Sequence, residues 1–361
     1  MSARNPFPVR RPYPVTATGL VDFLVDGVYP LQEAHLRQYA AVEYAKRLAA
    51  GGALRPGDAD RTLRLPSAAV VQSVQLVAGD YAVHLNWKKA KVVYDVEPTM
   101  MSTLAEMDTH DLLPGGILRQ LPHPNPVFVF TEGHPVVRAD QTSALVRAMY
   151  VSGRRAEGTM CDTSDPEAAE YQLTFKCDLP DGSGQVVDMD SVRISVGILD
   201  DSFTMRATID AVLKNYVWEP LMTDTSSMEA KRAYMEALAH FGIAHLLYVC
   251  SDKADTVRKP IGRKPARKGG QRPERPLQLC RVGWRIGPAI KATRDSIATT
   301  REITATGSGR TMVPHIRRAH LHTFRYGKER ALSRVRWLPP IFVNAGGEQV
   351  SIDATIVPVR A

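Results

Sequence analysis

The stretch that decides the fold is a pair of segments, Tyr171-Gln-Leu-Thr-Phe-Lys-Cys177 and Ser191-Val-Arg-Ile-Ser-Val-Gly-Ile198. In each segment apolar and polar residues alternate with a period of two, which is typical of a β-strand with one buried face. The segment Pro180-Asp-Gly-Ser-Gly-Gln185 between them is rich in turn-forming residues. The sequence therefore predicts a β-hairpin within a central, mostly antiparallel sheet.

Helices are predicted on both sides of this hairpin. Leu31–Ala50 carries apolar residues near the helical period, and Thr99–Leu113 predicts a helix that stops before a proline and two glycines. Ser226–Phe241 has serine caps at its start and Gly242 after its end. The apolar run Ile243–Cys250 is expected to be a separate buried strand or helix.

Further strands are predicted from β-forming residues. Tyr81–Trp87 alternates weakly, Lys91–Val96 is typical of a buried strand, and Val127–Phe130 follows a proline-rich turn. Gln349–Val357 alternates and predicts a last strand.

These segments predict an α+β (mixed α/β) fold. We divide it into a helical and mixed N-terminal part (1–130), a sheet-rich middle with one helix (131–252), a flexible basic loop (253–276), and a basic C-terminal part (277–361) packed against the sheet.

Composition favours a water-soluble globular protein, since 44% of the 361 residues are hydrophobic and 23% are charged. No apolar run reaches the ~18 residues of a membrane helix, and the N-terminus lacks the apolar core of a secretory signal. We therefore expect no membrane association and a cytoplasmic location. The four cysteines are widely spaced, which favours free thiols over a zinc site or disulfides.

Charge is distributed unevenly along the chain. Residues 253–336 hold 22 Lys and Arg against 5 Asp and Glu, a net charge of +17. Because the whole chain carries +8, the remainder carries −9. A basic block beside an acidic remainder indicates that the C-terminal third contacts a polyanion.

The segment Val313-Pro-His-Ile-Arg-Arg-Ala-His-Leu-His-Thr-Phe-Arg-Tyr-Gly327 is the candidate functional site, because it concentrates imidazole, guanidinium and aromatic groups. As a strand it places Arg318, His320, His322, Phe324 and Tyr326 on one face. As a helix it aligns His315, Arg318, His322 and Tyr326. Both geometries keep Arg318, His322 and Tyr326 together.

Such a face suits RNA in two ways. Arginines bind phosphates while aromatic planes stack on unpaired bases. Alternatively, a histidine pair can act as base and acid in metal-independent RNA cleavage, with arginine stabilising the charged phosphorane. The candidate catalytic residues are Arg318, His320, His322 and Tyr326. The candidate nucleic-acid-binding residues are Arg258, Lys259, Arg263, Lys264, Arg267, Lys268, Arg317, Arg318 and Arg325.

A purely structural role for the same side chains, in which they satisfy buried carbonyls and carboxylates, stays open. His320 and His322 could ligate a metal, but no third ligand is identifiable, so neither a metal nor a cofactor is predicted.

Four ordered blocks carry a family resemblance. They are Leu246-Leu-Tyr-Val-Cys-Ser-Asp252, Val282-Gly-Trp-Arg-Ile-Gly287, Pro314-His-Ile-Arg-Arg-Ala-His-Leu-His322 and Trp337-Leu-Pro-Pro-Ile-Phe-Val-Asn344. Through them the chain resembles the phage and mobile-element family of the second type V-A anti-CRISPR protein, mainly over residues 240–345. The resemblance implies host-defence antagonism, in which the transcript of a type V effector nuclease is reduced in a translation-dependent way through recognition of the nascent N-terminal peptide.

Three functions follow as hypotheses. The first is an anti-CRISPR-like antagonist that acts on a target's translating mRNA or nascent peptide, with the host translation or RNA-decay machinery as further candidate partners. The second is a metal-independent ribonuclease. The third is a peptide- or protein-binding module without nucleic-acid contact.

Overall fold

A large mixed sheet organises the protein. The computed structural model describes residues 82–180, 186–215, 227–261, 277–304 and 315–343. Within these ranges eight strands form one sheet. Seven of them lie side by side in the order β7 (Val186–Gly197), β6 (Ala168–Pro180), β4 (Ser143–Arg155), β3 (Val127–Val137), β1 (Val92–Val96), β10 (Leu277–Val282) and β9 (Thr256–Ile261), and the short β5 (Met160–Cys161) pairs with β4. Helices pack against the sheet, and three pairs of shorter strands lie beside it. The predicted α+β class is confirmed.

The strands have the following bounds: β1 Val92–Val96, β2 Leu112–Leu113, β3 Val127–Val137, β4 Ser143–Arg155, β5 Met160–Cys161, β6 Ala168–Pro180, β7 Val186–Gly197, β8 Phe203–Thr204, β9 Thr256–Ile261, β10 Leu277–Val282, β11 His315–Arg317, β12 His320–Tyr326, β13 Leu332–Leu338 and β14 Ile341–Val343. The helices are α1 (residues 82–90), α2 Pro98–Ala105, α3 Met205–Asn215, α4 Met228–Cys250 and α5 Gly287–Thr304.

The predicted hairpin forms one flank of the large sheet. Strands β6 and β7 pair antiparallel from Glu170↔Gly197 to Pro180↔Val186. Leu173 and Phe175 are fully buried, as the alternation predicts, but the polar residues Thr174 and Lys176 that alternate with them are buried as well.

The centre of the sheet is parallel. Every residue of β1 is buried, and β1 pairs parallel with β3 on one side and with β10 on the other. The predicted strand at Lys91–Val96 is thus confirmed from Val92 onward. Strands buried on both faces are typical of parallel sheets, which explains why four of the five residues of β1 are apolar, with the buried Asp95 as the exception.

Helix α4 crosses the sheet without interruption from Met228 to Cys250, capped by the hydroxyl of Ser227. The prediction that Gly242 ends this helix is wrong. A Cβ at Gly242 would lie 2.7 Å from Leu173 Cδ1 and 2.8 Å from Phe175 Cζ. Glycine is therefore present because the helix approaches the sheet closely, not because the helix stops. Although α4 is long and apolar enough to cross a membrane, 78% of its apolar stretch is buried within the protein.

Two other predicted elements differ. The strand expected over Tyr81–Trp87 is a helix in the described residues: residues 82–90 form α1, because Val83, Trp87 and Ala90 recur at helical spacing and are buried. The helix predicted over Thr99–Leu113 stops at Ala105, and Leu112–Leu113 pairs with β8 instead.

The start of the predicted basic loop is ordered. Thr256–Ile261 forms β9, which pairs antiparallel with β10 at the edge of the sheet. Residues 262–276 lie outside the described residues, as do the predicted helix Leu31–Ala50 and the predicted strand Gln349–Val357. The division into four parts stays a prediction.

Candidate nucleic-acid interface

The candidate site is a small antiparallel hairpin formed by β12 and β13. Its register places His322 opposite Arg336 and Phe324 opposite Arg334, while Tyr326 lies opposite Leu332. Directly opposed residues in an antiparallel pair project to the same side. His322, Phe324, Tyr326, Arg334 and Arg336 therefore share one side of the hairpin, which we call the ladder face.

The other side of the hairpin anchors it to the core. Leu321, Val335 and Trp337 are buried, and the Trp337 ring meets the Tyr248 ring of α4 edge-on, with centroids 5.3 Å apart. The hydroxyl of Thr323 donates to the carbonyl oxygen of Leu112 at 2.7 Å. Burial of alternate residues on one side leaves the ladder face directed away from the core.

Rings and guanidinium groups interleave on the ladder face. The Arg336 guanidinium lies 5.5 Å from the centre of the Phe324 ring, and the Arg334 guanidinium lies 5.3 Å from that of Tyr326. His322 meets Phe324 edge-on, with ring centroids 4.6 Å apart. His322 and Arg334 are exposed, and Tyr326 retains 45% of its accessible surface. Exposed rings carrying arginines are suited to stacking on bases and to binding phosphates.

Asp252 ties the ladder face to the end of α4. Its backbone N–H donates to the carbonyl oxygen of Val335 at 2.6 Å. One carboxylate oxygen lies 3.8 Å from Arg334 Nη1 and 3.6 Å from Arg336 Nη2. A single carboxylate thus forms ion pairs with both arginines of the ladder face.

The strand geometry is the correct one of the two predicted for the His/Arg segment. His320, His322 and Tyr326 lie on the same side of β12, as expected from the period of two. Asp111 lies close enough to both histidines to interact with their charge. Burial raises the pKa of the Asp111 carboxyl, and His320 and His322 oppose that rise.

Arg318 is placed elsewhere, because the strand is interrupted at Arg318 and the buried Ala319 between β11 and β12. It lines a cavity of about 240 Å³ together with Asp108, His110 and His240. Burial lowers the pKa of His240, and the charge of Arg318 contributes to the lowering. The predicted group of Arg318, His322 and Tyr326 is therefore not assembled as one face.

The other predicted basic residues are dispersed. Arg258 is exposed on β9 and donates to Gln278 Oε1 at 2.6 Å, while Lys259 follows it in the same strand. Arg317 and Arg325 are exposed on β11 and β12. The remaining candidates, Arg263, Lys264, Arg267 and Lys268, lie outside the described residues.

A second cavity of about 470 Å³ lies beside the hairpin, between β2 and β12. Its lining includes Asp111, His322, Arg325 and Arg330. Within the described ranges, no three His, Cys, Asp or Glu side chains come together in a group that could hold a metal ion.

A model of the anti-CRISPR type V subtype A2 family matches residues 94–345. The match covers more than half of the chain. The chain belongs to this family. A search of curated proteins found no match. Among solved structures, a crystal structure of AcrVA2 aligns with 17% identity and a TM-score of 0.43, covering 87% of this chain and 98% of that one. At this TM-score the structural alignment adds nothing to the family match.

Membership of the anti-CRISPR type V subtype A2 family gives the chain an anti-CRISPR-like function and implies a phage origin. The four blocks that carry the resemblance adjoin one another in the fold. Tyr248 in the first block contacts Trp337 in the fourth. The second block leads into α5, and Asp255, three residues after the first block, accepts hydrogen bonds from the backbone N–H groups of Arg285 and Ile286 at 2.9 and 3.2 Å.

Sequence reasoning missed Arg334, Arg336 and Asp252 as parts of the site. The first two alternate with Val335 and Trp337, a period-two pattern that predicts a strand with one basic side. That pattern could have identified both arginines, although not their pairing with β12. No sequence signal places Asp252 beside them.

Proposed function

We propose that the protein lowers expression of a type V effector by acting on its translating mRNA or nascent peptide, and that the ladder face supplies the RNA contact. Family membership supports the coarse function. The single observation that supports the RNA contact is the series of rings and guanidinium groups formed by Phe324, Tyr326, Arg334 and Arg336, in which Tyr326 and Arg334 are exposed and Phe324 and Arg336 are half-buried.

The positive charge of the surrounding sequence also supports an RNA contact. The ladder face lies within the block of residues 253–336, which has a net charge of +17 as counted from the sequence. Phosphate contacts made by such a block release counterions from the RNA. The logarithm of the RNA affinity should therefore fall linearly with the logarithm of the salt concentration. The site of action would be the bacterial cytoplasm, with ribosomes or RNA-decay enzymes as further partners.

The direct test measures binding of the purified protein to the first coding segment of the effector mRNA at increasing salt. We expect a steep, salt-dependent loss of affinity and a strong loss in a Phe324→Ala, Tyr326→Ala double variant. A Leu85→Ala variant is the matched control, because Leu85 is also exposed but lies on α1. Absent or salt-insensitive binding would reject the RNA contact.

A second candidate is metal-independent RNA cleavage, favoured by the placement of His320 and His322 on one side of β12 near Asp111. Arg318 lines the other cavity, beside His240, and Arg336, which lies opposite His322, would be the cation of this mechanism. Incubation with RNA in EDTA separates the candidates. Equal cleavage by wild type and His322→Ala, or none by either, excludes the histidine mechanism.

The hypothesis of a peptide-binding module predicts that the basic loop is dispensable for activity. Because Thr256–Ile261 is a strand of the large sheet, the deletion that tests this should be confined to residues 262–276. Retained activity after that deletion favours peptide recognition, and lost activity favours RNA contact.

A further inference from the structure

Asp252 is an acidic group placed inside the basic ladder face. Its carboxylate lies within 4 Å of the guanidinium groups of both Arg334 and Arg336. Both arginines in turn cover aromatic rings, Arg336 over Phe324 and Arg334 over Tyr326. The side chain of Asp252 remains 36% exposed, so a ligand on the ladder face would meet its charge.

This placement has two electrostatic effects. The carboxylate attracts the two guanidinium groups, which favours their positions over the rings before any ligand binds. It also offsets part of their positive charge, so a phosphate must compete with Asp252 for the same donors. The ladder face is therefore a strong stacking surface with reduced charge.

Single-stranded and duplex RNA respond differently to such a surface. Duplex RNA keeps its bases stacked inside and offers mainly phosphates and 2′-hydroxyls, so its binding depends on positive charge. Unpaired nucleotides expose ring faces that can stack on Phe324, Tyr326 and the guanidinium planes. Reduced charge weakens duplex binding more than it weakens stacking of unpaired bases.

We propose that Asp252 makes the ladder face selective for single-stranded over duplex RNA. This inference rests on the proposed function and names its substrate class, which is an unpaired stretch of the message. Asp252 acts through Arg334 and Arg336 and is a specificity-determining residue, not a catalytic one.

The test compares wild type with Asp252→Asn, which removes the charge and leaves the backbone bond to Val335. The probes are a fluorescent single strand of about 12 nucleotides without secondary structure and the duplex of the same sequence. Wild type should prefer the single strand by about tenfold. In the variant, duplex affinity should rise by about fivefold and single-strand affinity by less, so that the preference shrinks.

Two further variants serve as controls. Asp210→Asn makes the same charge change on α3, where Asp210 pairs with Arg206 at 2.8 Å, and it should leave the preference unchanged. Asp252→Glu keeps the charge and should retain most of the wild-type preference. Thermal melting of each variant establishes that it is folded.

The outcomes separate the two claims. If wild type binds neither RNA, the proposed function fails together with this inference. If wild type binds RNA but Asp252→Asn keeps the same preference, or Asp210→Asn shifts it equally, only the role of Asp252 is rejected.

Discussion

Helix α4 and the β12–β13 hairpin use aromatic rings in opposite ways. Where α4 packs on the sheet, the ring of Phe241 on the helix lies 4.7 Å, centroid to centroid, from the ring of Phe130 on β3. Both rings are fully buried, as is His245 of α4. On the hairpin, the rings of Phe324 and Tyr326 lie under guanidinium groups and reach solvent. The first arrangement stabilises the fold, and the second leaves stacking capacity for a ligand. Changes in the two regions should therefore separate stability from binding.

The largest effect is expected at Gly242. Gly242→Leu would drive a side chain into the fully buried Leu173 and Phe175, and overpacking of such a core should cost about 3 kcal/mol or more of unfolding free energy. Chemical denaturation measures this cost. Ala237→Leu is the matched control, because Ala237 is exposed on the same helix. Equal stability of the two variants would contradict the close approach of α4 to the sheet.

The buried histidines should give the next largest effect, through pH. Burial lowers the pKa of His245 to about 3 and that of His134 to about 4. Below pH ~6.5 the unfolded chain binds protons at these histidines and the folded protein does not, so stability falls as the pH falls, by about 1.4 kcal/mol per pH unit at the fully buried His245.

Replacing one of them tests this slope. In His245→Phe, the loss of melting temperature between pH 7 and pH 5 should be smaller than in wild type. His110→Phe changes an exposed histidine and should leave the slope as it is. An unchanged slope in His245→Phe would mean that other groups control the acid sensitivity.

On the hairpin, Phe324→Ala should weaken single-stranded RNA binding by about tenfold, the expected loss of one stacked base. The melting temperature should change far less than in Gly242→Leu, because the ladder face lies outside the buried core. A large loss of stability without loss of binding would reverse the assignment of the two regions.

The smallest effect is expected at the edge of the large sheet. Arg258→Gln removes one exposed cation of β9 and should lower the slope of log affinity against log salt by about 0.7, with a severalfold loss of affinity. Complete loss of RNA binding would indicate that the principal RNA contact lies on β9 and not on the hairpin.

Local patterns predicted the local structure well. Alternation identified the β6–β7 hairpin and the shared side of His320, His322 and Tyr326, since both depend only on the period of a strand. Gly242 was misread because a glycine that permits close packing and a glycine that ends a helix look alike in sequence. Tyr81–Trp87 was misread because its weak alternation competes with a helical spacing of Val83, Trp87 and Ala90.

The partners of the site could not be predicted, because they come from distant segments. The pairing of β12 with β13 and the position of Asp252 beside Arg334 and Arg336 are set by tertiary packing. The break at Arg318–Ala319 likewise depends on where β11 and β12 find their partners, so the displacement of Arg318 has no local signature.

The parallel pairing at the centre of the sheet also sets an order of events during synthesis. Val92 pairs with Gln278, and Val96 pairs with Val282. Until residue 282 has left the ribosome, β1 therefore has an unpaired edge toward β10. Open strand edges are templates for pairing with other chains. We expect nascent chains that stop before β10 to be prone to aggregation, so that the fold closes only late in translation.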